Sequence, residues 1–231
     1  MPTPQESKIE DFAFDYLKGY YTSQQGAKKV FIGRAEKSKQ GVEVEGVFAF
    51  KHPDSFLFLA TVTFKNSQRL ASILTSYKKK GLSKLRFATP VVLLMLGAFL
   101  NLRFGGNVYT WALTAAVAFA GFVLHTYLAK AYLKSSIEKV LEELKKYPAN
   151  EQWLGISMSS LVFRNNSMAS YFLKLCQRRG IGILTVGKRA KVVLIQEPRT
   201  NTCRKGDFLS HYISEHNIRK AVQEDTILRV A

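Results

Sequence analysis

The residues of this chain that could do chemistry lie at matching ends of two neighbouring predicted strands. The stretch VEVEGVFAFKHPDSFLFLATVTFKN, residues 42–66, alternates in the manner of two strands on either side of a turn. Five polar residues stand near its ends: Glu43, Glu45, Thr61, Thr63 and Lys65. Carboxylates are ligands that Mg²⁺ prefers, and a metal ion can activate water for the hydrolysis of a phosphodiester.

A turn centred near Asp54 sets the register of this hairpin. It places Glu45 opposite Thr63 and Glu43 opposite Lys65 in a regular antiparallel pair. Because side chains alternate with period two, these residues share one face, and apolar side chains of both strands fill the other. A cross-strand Glu43–Lys65 pair, contributing about 0.2–1 kcal/mol, is the purely structural interpretation.

Periodicity along the chain predicts the elements that must position this hairpin. A helix is expected in residues 6–21, a strand in residues 28–35 and, after the hairpin, a helix in residues 67–81. Two apolar runs follow, then a helix reaching Tyr147, a strand, a helix ending at Gly180, two short strands and a last helix. This order predicts a mixed α/β fold, with a meander of three strands and a later parallel strand–helix–strand crossover.

The αβββαβ order, with an acid early in the second strand and a lysine at the end of the third, resembles the restriction-endonuclease-like, or PD-(D/E)XK, superfamily. In that family two acids hold a divalent metal, the lysine helps to activate water, and the first helix often adds a glutamate. The resemblance implies that Glu45 is the first acid, Lys65 the lysine and Glu10 the helix acid. Thr63 stands where the second acid is expected.

The threonine changes what such a site can do. Mg²⁺ is bound by oxygen ligands that usually include carboxylates, and Glu45 beside a neutral hydroxyl offers one negative charge where two are expected. Glu43 does not replace the missing acid, because it faces Lys65 one pleat further along. Three interpretations stay open: a relic nuclease site without a cofactor, a plain structural pair, and a live Mg²⁺-dependent nuclease with Glu45 as a metal ligand.

Two uncharged runs interrupt the α/β pattern. Residues 87–102 read FATPVVLLMLGAFLNL, residues 108–128 read VYTWALTAAVAFAGFVLHTYL, and RFGGN joins them. The second run has 21 residues, which is enough to cross a bilayer core of about 30 Å. The first run reaches a similar length if its helix starts near Ser83. The pattern predicts a transmembrane helical hairpin, with a buried hairpin in a soluble core as the alternative.

The hairpin divides the chain and its flanks predict an orientation. Residues 87–128 are the inserted hairpin, and residues 1–86 and 129–231 are the two parts of one cytoplasmic α/β domain, the second with a C-terminal helix. Lysines and arginines flank both ends of the hairpin, whereas the turn carries only Arg103. The positive-inside rule then predicts a two-span protein of the plasma or inner membrane with both termini in the cytoplasm.

The chain is strongly basic. It has 34 lysines and arginines against 17 acids, for a formal net charge of +17. This excess favours a polyanionic partner, either anionic lipid head groups or nucleic acid. The candidate contacts precede the first span or lie in a later loop: Lys78, Lys79, Lys80, Lys84, Arg86, Arg199, Arg204 and Lys205.

Two features inside the second span suggest contacts of their own. Ala112, Ala116 and Ala120 recur every four residues and form a smooth stripe, which packs against the first span or against another copy of the chain. His125 is a proton or cofactor ligand in one interpretation and an interfacial polar residue in the other.

Two classes of function follow from these residues. The first is a membrane-anchored, non-catalytic α/β module that binds a protein partner, anionic lipid or nucleic acid. The second is a membrane-tethered, metal-dependent nuclease. Acids at both strand ends would favour the nuclease, and Thr63 favours the module without catalytic activity.

Overall fold

The computed structural model describes residues 4–52, 56–144, 146–187, 191–203 and 206–223. The chain divides into two units. The first, the α/β unit, comprises Met1–Leu74 and Val140–Ala231, and the second, the hairpin unit, comprises Thr75–Lys139.

The described residues form six α-helices and six strands. The helices are α1 Pro4–Gln24, α2 Ser67–Lys80, α3 Ala88–Phe104, α4 Val108–Leu144, α5 Ser167–Arg179 and α6 Glu215–Gln223. The strands are β1 Phe31–Lys37, β2 Glu43–Lys51, β3 Leu57–Thr63, β4 Glu151–Ile156, β5 Ile181–Val186 and β6 Val192–Gln196. Short 3₁₀ helices lie at Lys84–Phe87, Ser160–Phe163 and Phe208–His211. The predicted order is confirmed, although α4 ends at Leu144 rather than at Tyr147.

The strands form one mixed sheet in the order β1-β2-β3-β4-β5-β6 among the described residues. β1, β2 and β3 pair antiparallel, which confirms the predicted meander. β4 runs parallel to both β3 and β5, and β6 returns antiparallel to β5. The predicted crossover between β4 and β5 is therefore also confirmed, and the chain is a mixed α/β protein.

Helix α1 packs against one face of the central strands. Its Phe14 ring lies 5.5 Å from the ring of Phe48, and Tyr21 lies 5.0 Å from Phe50, centroid to centroid. The approach is so close that a Cβ on Gly46 would come within 2.2 Å of the Phe14 ring. The other face of β2 and β3 is also buried, because residues of both parities along the two strands are shielded from solvent. The sheet therefore has a core on both sides.

Two helices of the described chain are long and apolar enough to cross a membrane, Lys84–Phe104 and Val108–Leu144, and the last residues of the second belong to the α/β unit. Helix α3 ends at Gly105, whose φ of 69° lies in the left-handed region that glycine tolerates best. A Cβ on Gly97 would come within 2.1 Å of Thr114, so a glycine is needed for this helix contact. Thr114 also accepts a hydrogen bond from the Asn101 amide at 3.1 Å.

The alanine stripe does not form this contact. Ala112, Ala116 and Ala120 are exposed, whereas Ala118 is buried. The alternative in which the stripe packs against the first span is therefore wrong, and the stripe remains only a candidate for contact with another copy. His125 lies 2.8 Å from the Thr89 hydroxyl through its Nδ1, which gives it a polar partner on α3.

Candidate functional site

The structure brings Glu45 and Thr63 together as the sequence predicts. Gly46 pairs with Val62 across β2 and β3, so the next position along the ladder sets Glu45 opposite Thr63. The Thr63 hydroxyl donates a hydrogen bond to Glu45 Oε2 at 2.9 Å. The predicted register and the predicted shared face are therefore confirmed for this pair.

The same carboxylate oxygen binds the backbone where β3 ends. The N–H groups of Phe64 and Lys65 both donate to Glu45 Oε2, the second at 3.0 Å. Beyond them the chain turns at Asn66, whose φ is 64°, and enters α2. These N–H groups have left the sheet ladder, and a carboxylate that accepts from them replaces the lost strand partner. Glu45 thus holds the junction between β3 and α2.

The hydrogen bond between Lys65 and Glu45 is formed by the backbone N–H of Lys65 and not by its side chain. β3 ends at Thr63, so Lys65 lies beyond the last paired position, and its side chain is exposed. Of the ion pairs between described residues, none joins Lys65 to Glu43, which is also exposed. The cross-strand Glu43–Lys65 pair is therefore not formed.

Glu10 belongs to a helix on the other side of the sheet. It precedes Phe14 by one turn of α1. Phe14 packs against the sheet face of Gly46 and Val62, and Glu45, the neighbour of Gly46, belongs to the opposite face. No hydrogen bond between described residues joins Glu10 to Glu45.

The charge of Glu45 also acts on Tyr147, which is buried. Burial raises the pKa of Tyr147, and the charges of Glu45 and Glu143 raise it further.

These residues do not fit a divalent metal. The described part of the chain holds no group of three or more histidine, cysteine, aspartate or glutamate side chains placed to bind an ion. Glu45 contributes one carboxylate, and one of its two oxygens already accepts three hydrogen bonds. The three donors direct partial positive charge at Oε2, which disfavours a cation at that oxygen. The geometry is that of a structural carboxylate.

The basic candidates are distributed over both units. Lys78, Lys79 and Lys80 form the exposed last turn of α2, and Lys84 and Arg86 lie in the 3₁₀ turn before α3. Arg199 is exposed in the α/β unit, where its backbone N–H donates to Gly180 O at 3.0 Å. Arg204 and Lys205 lie outside the described residues.

A second carboxylate site was missed by the sequence analysis. Glu151, at the start of β4, is only 3% exposed. It accepts hydrogen bonds from the Tyr21 hydroxyl at 2.8 Å, the Thr200 hydroxyl at 2.9 Å and the Gln25 amide at 3.4 Å. Burial raises the pKa of Glu151, and these hydrogen bonds offset part of the rise.

The donors to Glu151 come from two distant parts of the chain. Tyr21 belongs to α1 and Gln25 directly follows it, whereas Thr200 belongs to the segment after β6. The Trp153 indole in turn donates to the Tyr21 hydroxyl at 2.6 Å. No lysine or arginine of the described chain forms an ion pair with Glu151. Nothing in the local pattern around residue 151 distinguishes it from an exposed strand-end acid, so only the tertiary structure reveals this network.

Comparisons with protein-family models, with curated proteins and with solved structures find no match to the chain.

The role of Glu45 at the β3–α2 junction leads to a prediction about stability. Glu45→Ala leaves the Thr63 hydroxyl and two backbone N–H groups without their acceptor, which should lower the free energy of unfolding by about 2–3 kcal/mol. Glu45→Gln keeps an acceptor oxygen and should lose less than half of that. Denaturant unfolding in detergent, followed by the fluorescence of the buried Trp153 in a Trp111→Phe background, measures both values.

The matched control for this experiment lies two residues away on the same strand. Glu43→Ala removes an exposed carboxylate and should change the free energy of unfolding by less than about 0.5 kcal/mol. If Glu45→Ala unfolds at the same denaturant concentration as Glu43→Ala, Glu45 does not hold the junction.

Proposed function

We propose that this chain is a membrane-anchored α/β module without catalytic activity, which engages anionic lipid head groups. One observation carries the proposal: α3 and the first part of α4 present large apolar side chains to their surroundings wherever the two helices do not contact each other. Leu102 is 78% exposed, Phe104 80% and Tyr109 83%, and no acid occurs between residues 87 and 128. A helix in a soluble core buries such residues, whereas a lipid bilayer covers them.

The distribution of charge supports one orientation of the hairpin. Basic residues precede α3 and follow the apolar part of α4, and the connection between the helices carries none; only Arg103, in the last turn of α3, is nearby. In the proposed topology the hairpin enters and leaves on one side, and both termini face the cytoplasm of a cell whose plasma or inner membrane holds the chain. The basic turn at the end of α2 then faces anionic lipid, and each lysine near the surface adds about 1 kcal/mol of attraction.

We further propose that the α/β unit is a degenerate restriction-endonuclease-like domain with the hairpin as an insertion. The order of α1, the three-stranded meander, α2 and the parallel strand β4 agrees with the αβββαβ pattern. Glu45 and Thr63 lie side by side at the sheet end where that pattern expects two acids. In this proposal the first acid has been retained for its backbone hydrogen bonds and not for metal binding.

A live nuclease is the second candidate, and what favours it is that the exposed Lys65 lies at the same end of the hairpin as Glu45. It requires Mg²⁺ to bind at a site with one carboxylate. The unaltered chain is expected to show no Mg²⁺- or Mn²⁺-dependent cleavage of DNA or RNA.

The membrane proposal is tested by extraction. After expression of the full chain, membranes washed with alkaline carbonate should retain the protein in the pellet, and detergent should release it, because an inserted hairpin is held by the apolar side chains of both helices. A peripheral protein bound only through its +17 charge would be released by carbonate or by high salt. Recovery in the carbonate supernatant would therefore contradict membrane insertion.

A further inference from the structure

Arg86 stands out among the basic residues because the hairpin unit holds its side chain in place. Its guanidinium carbon lies 4.8 Å from the centre of the Phe87 ring and 5.9 Å from that of Phe122. The two rings themselves stack 5.5 Å apart and join the start of α3 to α4. Cation–π contact with two rings fixes the guanidinium, whereas the neighbouring Lys84 is an exposed flexible side chain.

The hairpin unit contains no partner for this charge. Arg86 Nε is buried and has no hydrogen-bond acceptor among the described residues, and none of the ion pairs between described residues includes Arg86. Between residues 75 and 139 the sequence has nine lysines and arginines and one acid, Glu138. Glu138 is 16 residues beyond Phe122 on α4, or about 24 Å along the helix. Any anionic partner of Arg86 therefore comes from outside the hairpin unit.

The depth of Arg86 in the proposed membrane identifies that group. Arg86 lies in the 3₁₀ turn that leads into the apolar helix α3. Its contact with Phe122 sets it beside a part of α4 in which the next charged residue is Lys130. The fixed guanidinium therefore lies at or slightly below the boundary between hydrocarbon and head groups. Phosphates of the phospholipids are the acceptors present at that depth, and the two Nη nitrogens form a fork that matches two phosphate oxygens.

We infer that Arg86, held against the stacked rings of Phe87 and Phe122, binds the phosphate of one phospholipid at the start of the first span. The inference rests on the proposed membrane insertion. The site recognises the phosphate itself, so both zwitterionic and anionic phospholipids occupy it, unlike the lysines of α2, which attract net negative charge. Its occupant is a lipid and not free phosphate, because the adjoining apolar surface holds the acyl chains.

Native mass spectrometry of the detergent-purified full chain tests the inference. The protein is mixed with phosphatidylcholine, with phosphatidylglycerol or with a phosphate-free galactolipid, and the fraction carrying one lipid is compared among variants. The wild type should retain one of either phospholipid but not the galactolipid, and Arg86→Gln should retain about tenfold less, the value of one charge-assisted hydrogen bond. Arg103→Gln, at the other end of the same helix, should behave as the wild type. Inorganic phosphate should not displace the lipid.

Each contrary result overturns the inference. Equal phospholipid retention by Arg86→Gln and the wild type, equal retention of the galactolipid, or displacement by inorganic phosphate would do so. If Arg86→Gln is not recovered from membranes, Arg86→Lys is measured instead, because it keeps the charge but loses the two-nitrogen fork. Weaker phospholipid retention by Arg86→Lys than by the wild type supports the site, and unchanged retention excludes it. Recovery of the protein in the carbonate supernatant would instead contradict the proposed membrane insertion, so the two failures are distinguishable.

Discussion

Thr63→Glu should lower the free energy of unfolding by at least about 3 kcal/mol in metal-free buffer, and Mg²⁺ or Mn²⁺ should restore a large part of that loss. Thr63 is 3% exposed, and its hydroxyl donates to Glu45. A carboxylate at this position removes the donor and sets two like charges side by side in a buried site. A divalent cation between the two carboxylates neutralises them, and binding to the folded state alone stabilises it.

The control for this substitution lies on the same strand and the same face. Thr61 is also 3% exposed, but it pairs with Val47 and has no acid across the strand. Thr61→Glu should be destabilised to a similar extent and should gain nothing from Mg²⁺. Thermal unfolding of both variants, with and without the metal, separates a rebuilt ion site from the general cost of a buried charge.

The outcome bears on the proposed ancestry of the site. A metal-dependent rescue confined to Thr63→Glu supports a degenerate two-acid site, and the absence of any rescue contradicts it. Robust metal-dependent cleavage by the unaltered chain, abolished by Lys65→Ala, would contradict the proposal from the other side, because it would show a functional nuclease with one acid.

The register of Glu45 and Thr63 could be predicted because two local signals agree. A turn centred near Asp54, which the sequence predicts and which lies outside the described residues, sets the pairing of the two strands, and period-two alternation assigns each residue to a face. A slip of one residue would have placed Glu45 among the phenylalanines. Tertiary packing left this local solution unchanged, so the sequence alone was enough.

The hydrogen bonds of the site could not be predicted from the same signals. The alternation continues through Lys65, yet β3 ends at Thr63 because the chain must turn at Asn66 to begin α2. That ending frees two N–H groups and changes Glu45 from a candidate metal ligand into their acceptor. Where a strand stops depends on its neighbours in the sheet, and periodicity does not record it.

The hairpin shows the same limit in another form. Length and the absence of charge predicted two long apolar helices, but a helix that is apolar on all sides carries no sign of which side faces its neighbour. The alanine stripe was one candidate, and the contact is instead formed through Gly97 and Thr114. Close approach there depends on the rotation of both helices together.

Glu151 should give the α/β unit an unusual dependence of stability on pH. Burial raises the pKa of Glu151 in the folded state above its ordinary value of 4.5. Below pH 4.5 Glu151 is protonated in both the folded and the unfolded state, so its contribution to the free energy of unfolding is fully present. As the pH rises through the folded-state pKa, the buried carboxyl must ionise, and this contribution is lost. Between the two values the free energy of unfolding should fall by up to about 1.4 kcal/mol per pH unit relative to a variant without the acid.

Glu151→Gln supplies that variant, because glutamine has nearly the shape of the protonated acid and does not titrate. Unfolding of the wild type and of Glu151→Gln in detergent, measured from pH 4 to pH 8 through Trp153, should give similar stabilities at the acid end and a growing advantage for the variant above it. Glu215→Gln is the control of opposite sign: hydrogen bonds from Arg219 and Lys39 lower the pKa of Glu215, so its stabilising contribution is present above the ordinary pKa and is lost as the pH falls. A difference in the free energy of unfolding between the wild type and Glu151→Gln that stays constant across this range would contradict the prediction. It would mean that Glu151 ionises as freely in the folded protein as in the unfolded chain, because its three donors fully compensate for its burial.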